Sequence, residues 1–318
     1  MKIDKRKLLG PFFKPLSKAK HSRASRILIA LVWLPSQLLR HHYNKPHFFV
    51  NIASPKGMGA VITEALLMCH YAIQNNLTPN IISTNRLYTQ NNNSDFISNY
   101  LGCLATNTLS NMKAMQLQTL WSFYHLNMAE HITLEESNRL FWTYFPPKPI
   151  ITNIIDKILS DITNQQFDLS IHYRGTDKAL EAPLVSFEIY KNAVLDYQAK
   201  NNIESVFLAT DDADFETYIK SQLPNLTFTT YNLGLPSDAS RGRHFSDISP
   251  EEKAIEAIVN IFLLAKSPFL IRGASYMSAI SKIINLELKT VTLNRTHWGS
   301  TGYPEMEILA EEDNQNNT

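Results

Sequence analysis

Cysteine is nearly absent from the 318-residue chain: Cys69 and Cys103 are the only two, which excludes a disulfide framework and a thiolate-built metal site. Glycine is scarce too, at 10 residues, while 44% of the chain is hydrophobic, and together these indicate a well-packed globular protein. No apolar run is long enough to cross a bilayer, since residues 27–39 give about 13 residues where about 20 are needed. A secretory signal peptide is not expected either: about 26 residues precede that run, and no small-residue cleavage site follows it. No internal repeat and no nucleic-acid-binding motif occurs, so nucleic acid is not expected as a partner.

Net charge is nearly missing as well, at +1, but its distribution is uneven. Lys2, Lys5, Arg6, Lys7, Lys14, Lys18, Lys20, Arg23, Arg26, Arg40 and Lys45 stand against Asp4 alone in the first part of the chain, leaving the remainder acidic. Such an arm suits an anionic membrane surface or an acidic acceptor. The apolar run inside it suits either an interfacial helix or a plain packing helix. The expectation is a cytoplasmic protein that contacts the inner face of a membrane peripherally through residues 1–45.

For this length two domains of roughly 150 residues each are the prior. Phe145-Pro-Pro-Lys-Pro149 marks the division, because these prolines fit neither a helix interior nor a central strand. The expected organisation is a basic arm over 1–45, an acceptor-side Rossmann-like domain over 46–149, a nucleotide-sugar-binding Rossmann-like domain over 150–309, and a disordered acidic tail over 310–318.

In the first domain, a strand over 48–52 leads through Ser54-Pro-Lys-Gly-Met-Gly-Ala60 into an apolar helix over 61–74 and a strand over 80–83. The third glycine and the ribose-reading acid of a dinucleotide fingerprint are both lacking. Gly57 and Gly59 therefore either permit a tight turn or bring backbone N–H groups up to a sugar or phosphate. A polar loop over 91–93 precedes a largely helical stretch over 111–145 rich in aromatics, among them Trp121, Tyr124, Trp142 and Tyr144; such spacing reads as core, with the lining of an acceptor cleft as the alternative for some of them.

Beyond the prolines the pattern becomes regular. Helices over 150–160, 186–200, 213–222, 250–265 and 275–285 alternate with strands over 167–173, 205–209, 226–230, 269–271 and 289–293. Strict alternation predicts parallel strands covered by helices. The fold class read from the chain is α/β, with two Rossmann-like domains facing each other across a cleft. Ser249-Pro-Glu-Glu252 is a capping box with proline at the first helical position, and the apolar stripe that follows it leaves Glu256 and Asn260 on a different edge.

The chemistry concentrates between Phe167 and Glu181, where an apolar strand breaks into polar residues at Gly175. Arg174, Lys178 and the backbone near Gly175 suit a diphosphate at the carboxyl end of a parallel strand. The plainer alternative is a surface ion pair of Arg174 with Asp177 and a core position for His172. Asp212-Ala-Asp214 has the spacing of a D-x-D metal motif, but Asp214 at a helix start is explained by the macrodipole, and no metal site is expected. His297 and Trp298 read as packing residues.

Taken in order, His172-Tyr-Arg-Gly-Thr-Asp-Lys178, Val206-Phe-Leu-Ala-Thr-Asp-Asp212 and the capped helix leading into Phe269-Leu-Ile-Arg-Gly-Ala-Ser275 resemble the α-1,6-fucosyltransferase superfamily, which includes the core fucosyltransferases of N-glycans and the bacterial nodulation-factor fucosyltransferases. The resemblance covers 167–284, with Gly57-Met-Gly59 similar more weakly to the family's glycine turn. It implies a GT-B glycosyltransferase that inverts at the anomeric carbon without a metal or other cofactor. The donor would be GDP-fucose or a related nucleotide sugar, and the acceptor a glycan or lipid-linked saccharide. By the same likeness Arg174 is the diphosphate-binding arginine, Lys178 the motif lysine, and Glu181 the base, with Asp177 second. Gly57, Gly59, His172, Asp211, Asp212, Glu256, Asn260 and Ser275 would form the donor site. The chain departs from the pattern at Gly175, where a second arginine is frequent, and at Asn260, where the base-reading aspartate falls; Glu256, one turn earlier, is the residue to compensate. Three alternatives accompany this reading: a non-catalytic nucleotide-diphosphate-sugar-binding protein of the same fold, a transferase using another nucleotide sugar, and a metal-dependent enzyme built on Asp212 and Asp214.

Overall fold

A computed structural model describes residues 46–90, 95–102, 115–117, 132–175, 182–233, 248–295 and 302–316. The basic arm, the polar loop over 91–93, Trp121, Tyr124, His297 and Trp298 lie outside the described residues. Two parallel sheets organise what is described.

In the first, β1 (His47–Ile52) lies between β2 (Thr78–Ile82) and β3 (Met115–Leu117). α1 (Met58–Gln74) makes the crossover from β1 to β2, and nearly all of its residues are buried, as befits a helix covered on several sides. Within the stretch 111–145, expected to be largely helical, Met115–Leu117 is a strand. This segment pairs in parallel with Val50, Asn51 and Ile52, so the ladder along β1 overrides its local preference. The helix of that region is α3 (Leu134–Tyr144), started by the Thr133 hydroxyl, which accepts from Glu136 N at 3.3 Å. Earlier in the chain, between β2 and β3, α2 (Phe96–Tyr100) is capped by Asp95.

After Pro146 and Pro147 the chain enters α4 (Pro149–Leu159) with Pro149 in its first turn, where a missing N–H costs nothing. The second sheet then forms in the order β6 (Thr227–Thr229), β5 (Ser205–Thr210), β4 (Leu169–Tyr173), β7 (Phe269–Arg272) and β8 (Lys289–Thr292). β4 is buried at every position, as a central parallel strand must be. The order runs outward in both directions from β4, which creates a switch point between β4 and β7. Asp168 sets the register at the entry to β4: its Oδ2 accepts from Glu204 N at 2.9 Å, Ser205 N at 2.8 Å and Ser205 Oγ at 2.8 Å.

The crossover helices are α5 (Phe187–Gln198), α6 (Ala213–Gln222), α7 (Pro250–Leu264) and α8 (Tyr276–Ile284). The capping box of Ser249 and Glu252 forms as read from the sequence. α3 packs against both α1 and α8, and Phe141 and Trp142 meet Phe262 of α7 with ring centroids 5.9 and 6.2 Å apart. One apolar cluster therefore runs from β1 through α1 to α7 and α8, while a second fills the opposite face of β4 and β5 beneath α5 and α6.

Of the acidic stretch expected to be a disordered tail over 310–318, residues 310–316 are helical. Residues 305–316 form α9 (Glu305–Asn316), and their acids meet specific partners. Glu312 accepts from Thr290 Oγ1 at 2.6 Å and Thr292 Oγ1 at 2.8 Å, and Glu311 pairs with Lys282 at 2.7 Å. Glu305 pairs with Arg272, a wholly buried residue that also donates to Ser278 Oγ at 2.8 Å and Ser275 O at 3.1 Å. The acids complement cations and hydroxyls of the second sheet and of α8, which composition alone does not reveal. No helix among the described residues is long and apolar enough to cross a membrane.

Candidate active site

A cavity of about 430 Å³, within the range of small-molecule sites, lies outside the carboxyl ends of β4 and β5 and is bounded by the starts of α1 and α8. β4 delivers His172 and, one residue past its end, Arg174 to the wall. The Arg174 side chain is 26% exposed, with Nε 3.9 Å from Asp211 Oδ2 at the end of β5. Asp211 Oδ1 accepts from Gly175 N at 3.0 Å, which holds the turn after β4 against the turn after β5.

Gly175 explains its own identity. A Cβ there would meet Asp212 Oδ2 at 2.5 Å and the Tyr173 ring at 2.8 Å. Neither can withdraw easily. Asp212 Oδ1 caps α6 through Asp214 N and Phe215 N, both at 3.0 Å, and Tyr173 stacks on Phe215 with centroids 4.0 Å apart. Burial, followed by the charges of Asp212 and Asp211, pushes the Tyr173 phenol up to about 12. Asp212 thus serves as a helix cap and does not line the cavity; Asp214 is exposed in the first turn of α6. Among the described residues no group of three or more His, Cys, Asp or Glu side chains is arranged to hold a metal ion.

Two helices begin at the cavity. α1 starts from Gly57, which has no side chain to cap it, and α8 starts from Ser275, whose side chain makes no capping hydrogen bond. Helix starts carry partial positive charge and favour anions. Gly57 and Gly59 serve differently. Gly57 faces the cavity with nothing within 4 Å of its Cβ position, whereas Gly59 admits the backbone of Tyr276 and Met277 against α1.

The far end of the cavity is lined by Glu256 and Asn260 of α7, both buried. Glu256 Oε2 accepts from Leu233 N at 2.7 Å. Asn260 Nδ2 donates to Tyr231 O at 3.0 Å, which leaves Asn260 Oδ1 buried and without a partner among the described residues. The cavity therefore brings together Gly57, Gly59, His172, Arg174, Asp211, Glu256, Asn260 and Ser275. Asp177, Lys178 and Glu181 lie outside the described residues.

Sequence reasoning overlooks Lys56 and Tyr88, both on the wall. Lys56 pairs with Glu64, whose side chain is fully buried in α1. Burial pushes the lysine down and the carboxyl up, each against the opposing pull of the other's charge. Lys56 sits inside the Gly57-containing turn, so its place beside a helix start is a usable signal. Tyr88 carries no local signal of any kind.

Parallel sheets, a switch-point cavity and paired helix starts define an α/β protein with the GT-B type of fold. No protein-family model and no curated protein sequence matches the chain. Among solved structures, the fold is that of NodZ α-1,6-fucosyltransferase: a form soaked with GDP-fucose aligns with a TM-score of 0.57 at 13% identity, covering 75% of this chain and 93% of that one. A form co-crystallized with GDP aligns at 0.51 and 14% identity, over 75% and 93% of the two chains. The selenomethionine form of the Bradyrhizobium enzyme aligns at 0.52 and 13% identity, over 75% and 92%. The fold likeness drawn from the three motifs is borne out.

Proposed function

We propose that the protein is an inverting, metal-independent glycosyltransferase, a fucosyltransferase that moves fucose from GDP-fucose to a hydroxyl of a glycan or lipid-linked saccharide. The observation that carries this reading is Arg174, standing at the end of β4 in a cavity that also receives the starts of α1 and α8. Departure of a nucleoside diphosphate develops charge on its β-phosphate, and a fixed guanidinium with oriented N–H groups stabilises that charge more than it stabilises the bound donor.

Direct displacement at the sugar carbon requires a carboxylate to take the proton of the incoming hydroxyl from the opposite face. Glu181 is assigned this role, with Asp177 second, and Lys178 is assigned to the phosphate side. Guanine presents two adjacent donors; Asn260 Oδ1 and the Glu256 carboxylate are the acceptors assigned to them. Residues 1–45 are assigned to peripheral contact with the inner face of an anionic membrane, which would bring a lipid-linked acceptor to the site.

The test begins with a thermal-shift screen of GDP- and UDP-sugars on the full chain, where GDP-fucose is expected to raise the melting temperature by mass action. Stabilisation by a UDP-sugar alone would overturn the donor assignment. Arg174→Ala is then expected to lower donor turnover on the order of 100-fold or more. Tight donor binding with neither hydrolysis nor transfer by the wild-type protein would favour the non-catalytic reading, which the single cation at Arg174-Gly175 motivates. Activity that persists in chelator is expected; loss in chelator would support a metal-dependent alternative.

A further inference from the structure

The loop that follows β2 is locked to the turn that starts α1. Asn85 is fully buried and donates from Nδ2 to Lys56 O at 2.8 Å, while its Oδ1 accepts from Leu87 N at 3.0 Å and its carbonyl accepts from Tyr88 N at 3.0 Å. This network fixes where Tyr88 stands. The Tyr88 ring is 4% exposed and meets Phe96 edge-on, with centroids 5.4 Å apart, yet the residue forms part of the cavity wall.

Met58, the first residue of α1, and Arg174 line the same cavity as Tyr88. A phenol has one proton to give. Burial pushes the phenol up to about 12, so the group remains a neutral donor at any ordinary pH.

We propose that Tyr88 is a donor-binding residue whose hydroxyl gives a hydrogen bond to a phosphate oxygen of the nucleoside diphosphate held between Arg174 and the start of α1. The inference rests on the nucleotide-sugar reading above and adds a residue from the opposite sheet to it. A neutral hydroxyl suits this position because it neither repels the guanidinium nor cancels it, as a second cation or a carboxylate would. Hydrogen bonds to charged acceptors are also the stronger class.

The experiment compares the wild-type protein and Tyr88→Phe, both full-length, by calorimetric titration with GDP, GMP and guanosine. Phenylalanine keeps the ring against Phe96, so the ligand-free melting temperature is expected to stay near wild type. The expected result is GDP affinity about tenfold weaker with guanosine affinity unchanged. Equal GDP affinity in the two proteins would overturn the role of Tyr88 while leaving the donor reading intact. A parallel loss of GDP and guanosine would make Tyr88 a merely structural residue and overturn it too. Wild-type protein that binds GDP no better than guanosine would instead sink the diphosphate reading beneath it.

Discussion

Gly59, in the first turn of α1, lies flush against Tyr276, in the first turn of α8. A Cβ on Gly59 would fall 2.6 Å from the Tyr276 carbonyl oxygen and 2.5 Å from the Met277 nitrogen. The two helices that head the cavity touch at a place where no side chain fits. Alanine within a helix is normally favoured over glycine by about 1 kcal/mol. Gly59→Ala is nevertheless expected to lower stability by roughly 1–3 kcal/mol, since the atoms it meets are backbone, and to weaken GDP binding by parting the helix starts. Gly57→Ala, with open space at its Cβ, should leave the melting temperature near wild type. Thermal melts of both variants with and without GDP check the contrast.

Gly175 cannot be turned into the arginine that the fucosyltransferase pattern often has there. The Asp212 cap and the Tyr173–Phe215 stack occupy its Cβ space. Gly175→Ala should cost on the order of 1–3 kcal/mol in urea denaturation, and Gly175→Arg at least as much despite restoring a charge. A stable Gly175→Arg protein with tighter GDP binding would refute this account.

The Lys56–Glu64 pair makes a pH-dependent prediction. In Lys56→Met the Glu64 carboxyl remains buried without its cation, and burial raises its pKa above the ordinary 4.5. A carboxyl whose folded pKa is raised contributes stability that is present below the unfolded pKa and lost as pH rises through the folded pKa. The deficit of Lys56→Met relative to wild type should therefore be small in acid and reach about 3 kcal/mol near neutrality. The double variant Lys56→Met/Glu64→Leu should recover most of it, as denaturation curves across pH would reveal.

The C-terminal helix is expected to be necessary for folding stability. Removing Glu305 leaves Arg272 buried with an unpaired charge. Glu305→Leu should cost about 3–5 kcal/mol, and a chain ending at residue 304 should melt well below the full chain. Identical melts would return residues 305–316 to the status of a dispensable tail.

Much of the second half is legible in the order of its residues. Helix 213–222 and the helix begun by Ser249 coincide with α6 and α7, because their starts rest on local capping and their stripes on local periodicity. Met115–Leu117 is not legible in this way: three residues have no periodicity to read, and the segment is a strand only because β1 offers an edge. The acids of α9 mislead for a related reason, since a run of Glu and Asp reads as solvated until its Thr and Lys partners are known.

From sequence alone come the alternation of strands and helices, hence parallel sheets, and the placing of Arg174 at a strand end; each follows from hydrogen-bond geometry and side-chain period over a few neighbouring residues. Tertiary structure alone decides which polar groups share a space. Lys56, Tyr88 and Arg174 lie far apart in the chain, and their common wall exists because Gly59 lets α1 settle against α8. Contacts between distant segments draw their free energy from packing and desolvation at the meeting point, and those forces leave no mark in the local pattern of residues.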